Sequence, residues 1–180
     1  LNNRTVYLPF EGRVKGVIDW GDGVTESIDK ENLTSADLSH SYAPGAASTV
    51  SVAFKGTVET LTTNYSPKGE VLKASLAGIT QWGSPELKRL SLQDAIALKH
   101  LAADTKGALS ALTDFTSCFD GCTSLESIPE GLFATATDAR TFDYTFKDCT
   151  SLTALPSDLF AHNAKAVSFN GTFYHCTGLE

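Results

Sequence analysis

The stretch FTSCFDGCTSLESIP, residues 115–129, returns as FDYTFKDCTSLTALP at 142–156 and as FNGTFYHCTGLE at 169–180. The apolar landmarks keep one interval, 27 positions, throughout: Phe115, Phe142 and Phe169; Phe119, Phe146 and Phe173; Cys122, Cys149 and Cys176; Leu125, Leu152 and Leu179. A fixed period with apolar positions locked in phase marks an architecture in which each unit buries its face only by stacking on its neighbours. Behind Pro129 and Pro156 the pairs Leu132-Phe133 and Leu159-Phe160 repeat on the same interval.

Within each unit, two Phe four positions apart share one face of a helical turn, so the spacing predicts a short helix. The Leu-x-x-(Ile/Leu)-Pro that follows is too short for a second helix and reads as a short strand. Pro129 and Pro156 close it, because proline cannot donate to a ladder beyond it. Short helix, turn, extended segment and second turn amount to leucine-rich-repeat-like geometry. The same offset taken toward the N-terminus puts Leu92, Ala95, Leu98 and Leu101 on Phe119, Cys122, Leu125 and Ile128. A degenerate repeat is therefore expected over 92–101, preceded by an atypical first one over 71–82, where Val71, Leu72, Leu76 and Ile79 open the apolar series.

The cysteines invite a disulfide or metal reading that the period argues against. Stacking would bring equivalent residues about one strand spacing apart, roughly 5 Å. Three equivalent thiols cannot pair off, however, and a small buried side chain suits the place where such a turn is capped. Cys118 is the exception, since the other repeats carry Thr145 and Thr172 there. A C-x3-C pair with no second pair or suitable His is a weak zinc signal, so Cys118 reads as a free thiol on the helical turn.

Residues 1–66 read as β. Thr5 to Phe10 and Val14 to Trp20 are strand-like, and Thr49 to Phe54 alternates Val50, Val52 and Phe54 on one side. Asp19-Trp20-Gly21-Asp22-Gly23 and Ala43-Pro44-Gly45 supply turns. Ser66-Pro67-Lys68-Gly69 is a turn or linker. The expected fold class is α+β: a small antiparallel β-sandwich over 1–66, then a leucine-rich-repeat-like solenoid of 27-residue period over 67–180. Its repeats are atypical over 67–114 and regular over 115–180, and the β unit is placed to cap its first edge.

WGDG at 20–23, followed by His40-Ser41-Tyr42, resembles the W/F-G-D-G…H-x-Y pattern of PKD-type β-sandwich modules. It departs from that pattern at Ala46-Ala47-Ser48-Thr49, where those modules usually carry Gly-x-Tyr before the last strand. The resemblance implies structural roles: Trp20 in the core, Asp22 in the turn, His40 and Tyr42 in packing. The alternative is a calcium site at Asp19 and Asp22, which falls short of the six to eight oxygens the ion takes. With Ile79-Thr80-Gln81-Trp82-Gly83 and the F-x2-C-T-S-L repeats, the whole combination resembles the BspA-type leucine-rich-repeat surface proteins of host-associated anaerobic bacteria. That resemblance implies extracellular display on the bacterial cell surface and adhesion to a protein or glycan of the host or of a neighbouring cell.

A net charge of −7 and a pI near 5.0 disfavour nucleic acid or an anionic membrane surface as partner. No apolar run reaches the length of a membrane span and no signal peptide is present, so direct membrane insertion is not expected. Opening at Leu1 without a Met and stopping within a repeat at Leu179-Glu180 are what a piece of a longer precursor would show. Abundant Ser and Thr with few long charged runs lean toward an extracellular surface.

Catalysis would need convergent titratable groups. His40, His100, His162 and His175 are scattered, and neither H-E-x-x-H, G-x-S-x-G nor a P-loop appears. His175 adjoins Cys176, but its counterparts are Gly121 and Asp148, which marks a variable, exposed position. Glu126, Glu130 and Asp158 fall on repeat edges, where solvated carboxylates are the default. No enzyme, cofactor or metal site is expected. A binding surface would use positions that vary between repeats: Asp120/Lys147/Tyr174, Thr116/Asp143/Asn170 and Ser117/Tyr144/Gly171. Tyr144, Tyr174, Asp143, Lys147 and Asn170 are the candidates, with exposed tyrosine favoured at interfaces. The competing reading is that these rings only cover the flank of the stack and that the chain is a structural spacer without its own ligand.

Overall fold

The structure is a computed structural model describing residues 4–34, 37–64, 68–83 and 87–179. Its regular elements are β1 (Arg4–Tyr7), β2 (Phe10–Asp19), β3 (Thr25–Leu33), β4 (Ser39–Tyr42), β5 (Ala53–Thr62), α1 (Gly69–Ser75) and β6 (Arg89–Ser91). β1 and β4 form a two-stranded sheet; the other four lie in the order β3-β2-β5-β6. All pairings are antiparallel except β5 with β6.

Alternation explains the first sheet. Val14 and Ile18 of β2 point inward with no exposure and meet Ile28 and Leu33 of β3, while Leu8, Trp20 and Leu38 close the same core. β2 and β5 approach closely where Gly16 lies opposite Gly56. A Cβ on Gly56 would sit 2.1 Å from the Lys15 carbonyl oxygen, so only glycine allows this spacing. At Gly12, with φ of +77°, the register slips, and the bulge leaves Arg13 without a Cα partner on either side.

The strand boundaries differ from expectation. Pro9 separates β1 from β2, so Thr5 to Phe10 is not one strand, and β5 starts at Ala53 instead of Thr49. β3 has little apolar pattern to announce it, because only Ile28 and Leu33 of its nine residues are buried and its other positions are exposed. The linker Ser66-Pro67 and the boundary at 66 lie outside the described residues.

The fold class expected for residues 67–180 is corrected. Regular structure is mostly β, with one helix of seven residues among the described residues, and no leucine-rich-repeat solenoid closes. Neither the short helix at Phe115–Phe119 nor the short strand at Leu125–Pro129 forms; both are turns and irregular backbone. The helix fails because its amide groups go elsewhere. Phe115, Ser117, Phe119 and Gly121 donate N–H to the carbonyls of Thr141, Asp143, Thr145 and Lys147 in the next repeat, at 2.8–3.0 Å. Intervening Cys118 and Cys122 donate three positions back, to Phe115 and Phe119. Left-handed backbone then recurs at Ser117, Tyr144 and Gly171 (φ 54°, 55°, 59°) and at Gly121, Asp148 and His175 (φ 73°, 57°, 59°), which no α-helix tolerates. The result is a pile of tight turns, with single parallel bridges Asp114–Thr141–Ser168 in place of strands.

Within that pile, residues 27 apart do overlie one another. Phe115 and Phe142 stack at 5.1 Å, Phe142 and Phe169 at 5.4 Å, Phe119 and Phe146 at 5.3 Å, and Phe146 and Phe173 at 5.7 Å, all within 14° of parallel. The thiols of Cys122, Cys149 and Cys176 donate to the carbonyls of Leu92, Phe119 and Phe146 in the preceding repeat. Thr145 and Thr172 hydroxyls reach Phe115 and Phe142 carbonyls in the same way, and Cys118 reaches that of Leu90. Cys118 is therefore a buried donor, and its helical turn is absent. All four thiols are free and buried.

The earlier repeats are partial. Leu92, Ala95, Leu98 and Leu101 are buried, and Leu92 donates to the Cys118 carbonyl. Over 71–82, α1 buries Leu72 but exposes Val71, and Ile79 donates to the carbonyl of His100. β5 meets this end of the pile through Thr60–Arg89, Leu61–Leu90 and Thr62–Ser91, and Val58 packs against both apolar cores.

Candidate functional site: the flank of the repeats

Two columns of left-handed residues and the positions beside them make up the flank, so its side chains are set by backbone that recurs once per repeat. Tyr144, Asp143, Lys147, Asn170 and Tyr174 all lie on it. Asp143 Oδ1 accepts from the Ser168 hydroxyl at 2.6 Å and from the Asn170 N–H at 2.7 Å. These bonds, the hydroxyl first, hold its carboxyl below the usual carboxylate range. Asn170 Nδ2 donates to Tyr144 Oη at 3.0 Å. The Tyr144 ring lies over Gly171, where a Cβ would come within 2.5 Å of it. Tyr144 thus covers the next repeat and remains 37% exposed.

Lys147 bridges two carboxylates, Asp120 at 3.3 Å and Asp148 at 2.7 Å. Burial raises the Asp120 carboxyl despite the lysine, whereas Asp148 is lowered by Lys147 first and His175 second. His175 Nδ1 sits 3.1 Å from Asp148, and its ring stacks on Tyr174 at 4.3 Å. Tyr174 accepts at its carbonyl from the Asp148 N–H of the neighbouring repeat, but its ring is 54% exposed and stacks on His175 of its own repeat, which makes it the candidate most open to a partner. The other four candidates are spent on bonds between or within repeats.

The rule behind these contacts is one the sequence reading missed. Lys99–Glu126, Asp120–Lys147, Asp138–Lys165 and Asp148–His175 each join groups one full period apart. The signal was available as opposite charges repeating on the interval of the Phe columns. All but Asp120–Lys147, whose carboxylate is buried, are exposed pairs of the kind that contribute about 0–1 kcal/mol each, so they set register more than stability.

The residues considered for chemistry do not converge. The His175 ring faces Asp148 while the adjacent Cys176 thiol donates to the Phe146 carbonyl at 2.9 Å. Burial pushes the Cys122 thiol up to about 12, and the Cys176 thiol together with burial raises Cys149, so neither supplies a thiolate. Asp19 Oδ1 accepts from Gly21, Asp22 Oδ1 from Val24, and Asp22 Oδ2 pairs with His40 Nε2 at 2.7 Å. Both carboxylates considered for calcium are thus engaged by the turn. His40 stacks on Trp20 at 5.1 Å and meets Tyr42 edge-on, and Tyr42 Oη donates to the Trp20 carbonyl at 2.6 Å. His100 and His162 are exposed and apart from these. Among the described residues no group of three His, Cys, Asp or Glu is placed to hold a metal ion, and no helix is long and apolar enough to cross a membrane.

Tyr42→Phe removes a buried donor from the Trp20 carbonyl and is expected to cost about 1–2 kcal/mol in a urea titration. Asp143 has a folded pKa below its ordinary 3.8, so its contribution is present above that value and is lost as pH falls through the folded pKa. Between pH 6 and pH 3 the urea midpoint of Asp143→Asn should therefore drop less than that of the parent chain; an equal drop would remove Asp143 from the acid response.

No protein-family model, no curated protein and no solved structure matches this chain.

Proposed function

We propose that the chain is a binding module of a bacterial surface protein, meeting a protein or glycan of a host or neighbouring cell through the flank of its repeats. The observation carrying this reading is Tyr174, which is 54% exposed and stacked on His175, an aromatic ring with its hydroxyl tip outside the core of the stack. The resemblance of the WGDG segment and F-x2-C-T-S-L repeats to BspA-type surface proteins supports the extracellular setting. The charge of −7 points away from nucleic acid. No catalytic or cofactor role is part of the proposal.

Titration over immobilised extracellular-matrix proteins and a glycan array tests it. Saturable binding that falls at least tenfold in Tyr174→Ala, with Tyr144→Ala close to the parent, is the expected result. A spacer role is the second reading, favoured by the use of Asp143, Tyr144, Lys147 and Asn170 in bonds that hold the repeats together. A folded chain that binds nothing on either surface would select it.

A further inference from the structure

One cleft lies beside the bulge at Gly12–Arg13, and a second adjoins it along β6. One, of about 270 Å³, is lined by Arg13, Glu59, Lys88 and Ala111. The other, of about 350 Å³, is lined by Lys88, Arg89, Leu90, Ser91, Asp114 and Thr116. Lys88 lines both, so the clefts adjoin as a groove along this face, each close to the lower end of the size range of small-ligand sites, roughly 300–1,000 Å³.

The groove is built by the bulge. The Glu59 carboxylate occupies the space over Gly12, accepting from the Arg13 N–H at 3.0 Å and from Lys88 Nζ at 3.0 Å. Those bonds, the backbone one first, hold Glu59 ionised. Arg13 turns outward to Glu31 at 3.1 Å. The Arg13 and Lys88 side chains are 56% and 73% exposed, so their ion pairs are screened and exchange at little cost for another anion. Arg13 and Lys88 thus present two exposed, exchangeable cations at the groove beside the carboxylates of Glu59 and Asp114, with Glu31 on Arg13 at its edge. Around them stand the side chains of Ser91 and Thr116 and the carboxylate of Asp114, which accepts from the Thr116 N–H at 2.8 Å.

We propose that this groove binds an acidic oligosaccharide, with Arg13 and Lys88 meeting its carboxylates and Ser91, Thr116 and Asp114 its hydroxyls. This rests on the reading of the chain as a binding module and gives it a second site, separate from the flank. The lining favours a sugar over an acidic peptide because it holds charge and hydroxyls but no aromatic or large exposed apolar anchor of the kind that dominates protein interfaces. Lys and Arg heads alone would take any anion; the hydroxyl and carboxylate groups beside them match a polyhydroxylated one.

The test is calorimetric titration of the full chain with a hyaluronan hexasaccharide, a neutral cello-hexasaccharide and a hexaglutamate peptide. Saturable binding of hyaluronan alone is expected, weakened at least tenfold by Lys88→Ala and by Arg13→Ala and unchanged by Tyr174→Ala. Raising salt from 50 to 500 mM should weaken it further, as for any ion-paired ligand. Both substituted positions are exposed, and thermal melts of each variant establish that the fold persists. Equal binding of the neutral sugar, tighter binding of hexaglutamate, or no binding would overturn the proposal. Flank binding lost in Tyr174→Ala would still stand in that case, so the two readings fail separately.

Discussion

Phe146→Ala should cost about 3–5 kcal/mol of stability, the largest loss expected from any single truncation in the repeats. The Phe146 ring is fully buried between Phe119 at 5.3 Å and Phe173 at 5.7 Å, with Phe133 at 6.1 Å on its side. Removing it opens a hole in the middle of a stack whose turns cannot collapse inward, because their N–H groups are tied to the carbonyls of the adjacent repeat at fixed spacing. Tyr144→Ala, on the outward side of the same turn, should cost under about 1 kcal/mol, since its ring is partly exposed over Gly171 and the bond it loses, from Asn170 to its hydroxyl, is an exposed one. Denaturant titration of the two variants separates the inward face from the outward one. Comparable losses would mean that the faces are misassigned.

Gly56→Ala is the second substitution with a large expected effect, about 1–3 kcal/mol and toward the upper end. The new Cβ would lie 2.1 Å from the Lys15 carbonyl oxygen and 2.6 Å from the Gly16 Cα, both backbone atoms that cannot swing aside. To admit it, β2 and β5 must separate at the middle of the sheet that joins the first core to the repeats. Gly23→Ala provides the contrast, because nothing stands within 4 Å of its added methyl group and the cost there is only that of its φ of +91°. A melting temperature for Gly56→Ala equal to that of the parent would contradict the close approach of the two strands.

Much of this is legible in the sequence, and the misreadings have physical causes. Stacked Phe and Cys follow from the interval alone, since only neighbouring repeats can cover an apolar face of that length. For Trp20, Asp22, His40 and Tyr42 structural roles are implied only by the resemblance of the WGDG…H-x-Y pattern, and the contacts found there are carboxylate to turn amide and imidazole, ring to ring, and phenol to carbonyl. The helix expected at Phe115–Phe119 does not form because a spacing of four fits one helical turn and two consecutive tight turns equally well. What distinguishes them is the residue at each left-handed position. Gly121, Gly171, Asp148 and His175 are types that tolerate positive φ, but Ser117 and Tyr144 hide the pattern. The leucine-rich-repeat geometry inferred from that helix falls with it.

β3 is hidden for a different reason. Its pairs Arg13–Glu31 and Lys15–Asp29 with β2 are outward and charged, as suits an edge strand that must not recruit another chain, and they leave little apolar alternation to read. The groove beside Lys88 is not legible at all. It depends on a register slip at Gly12 and on β5 pairing with β6 across a long separation in the chain, and neither leaves a local mark.

Residues 27 apart must overlie one another if the repeats are built as described, and a nuclear Overhauser experiment on phenylalanine-labelled protein tests that directly. Ring-to-ring cross-peaks are predicted between Phe119 and Phe146 and between Phe146 and Phe173, with none between Phe119 and Phe173. Their absence in folded protein, or a direct Phe119–Phe173 contact, would contradict it.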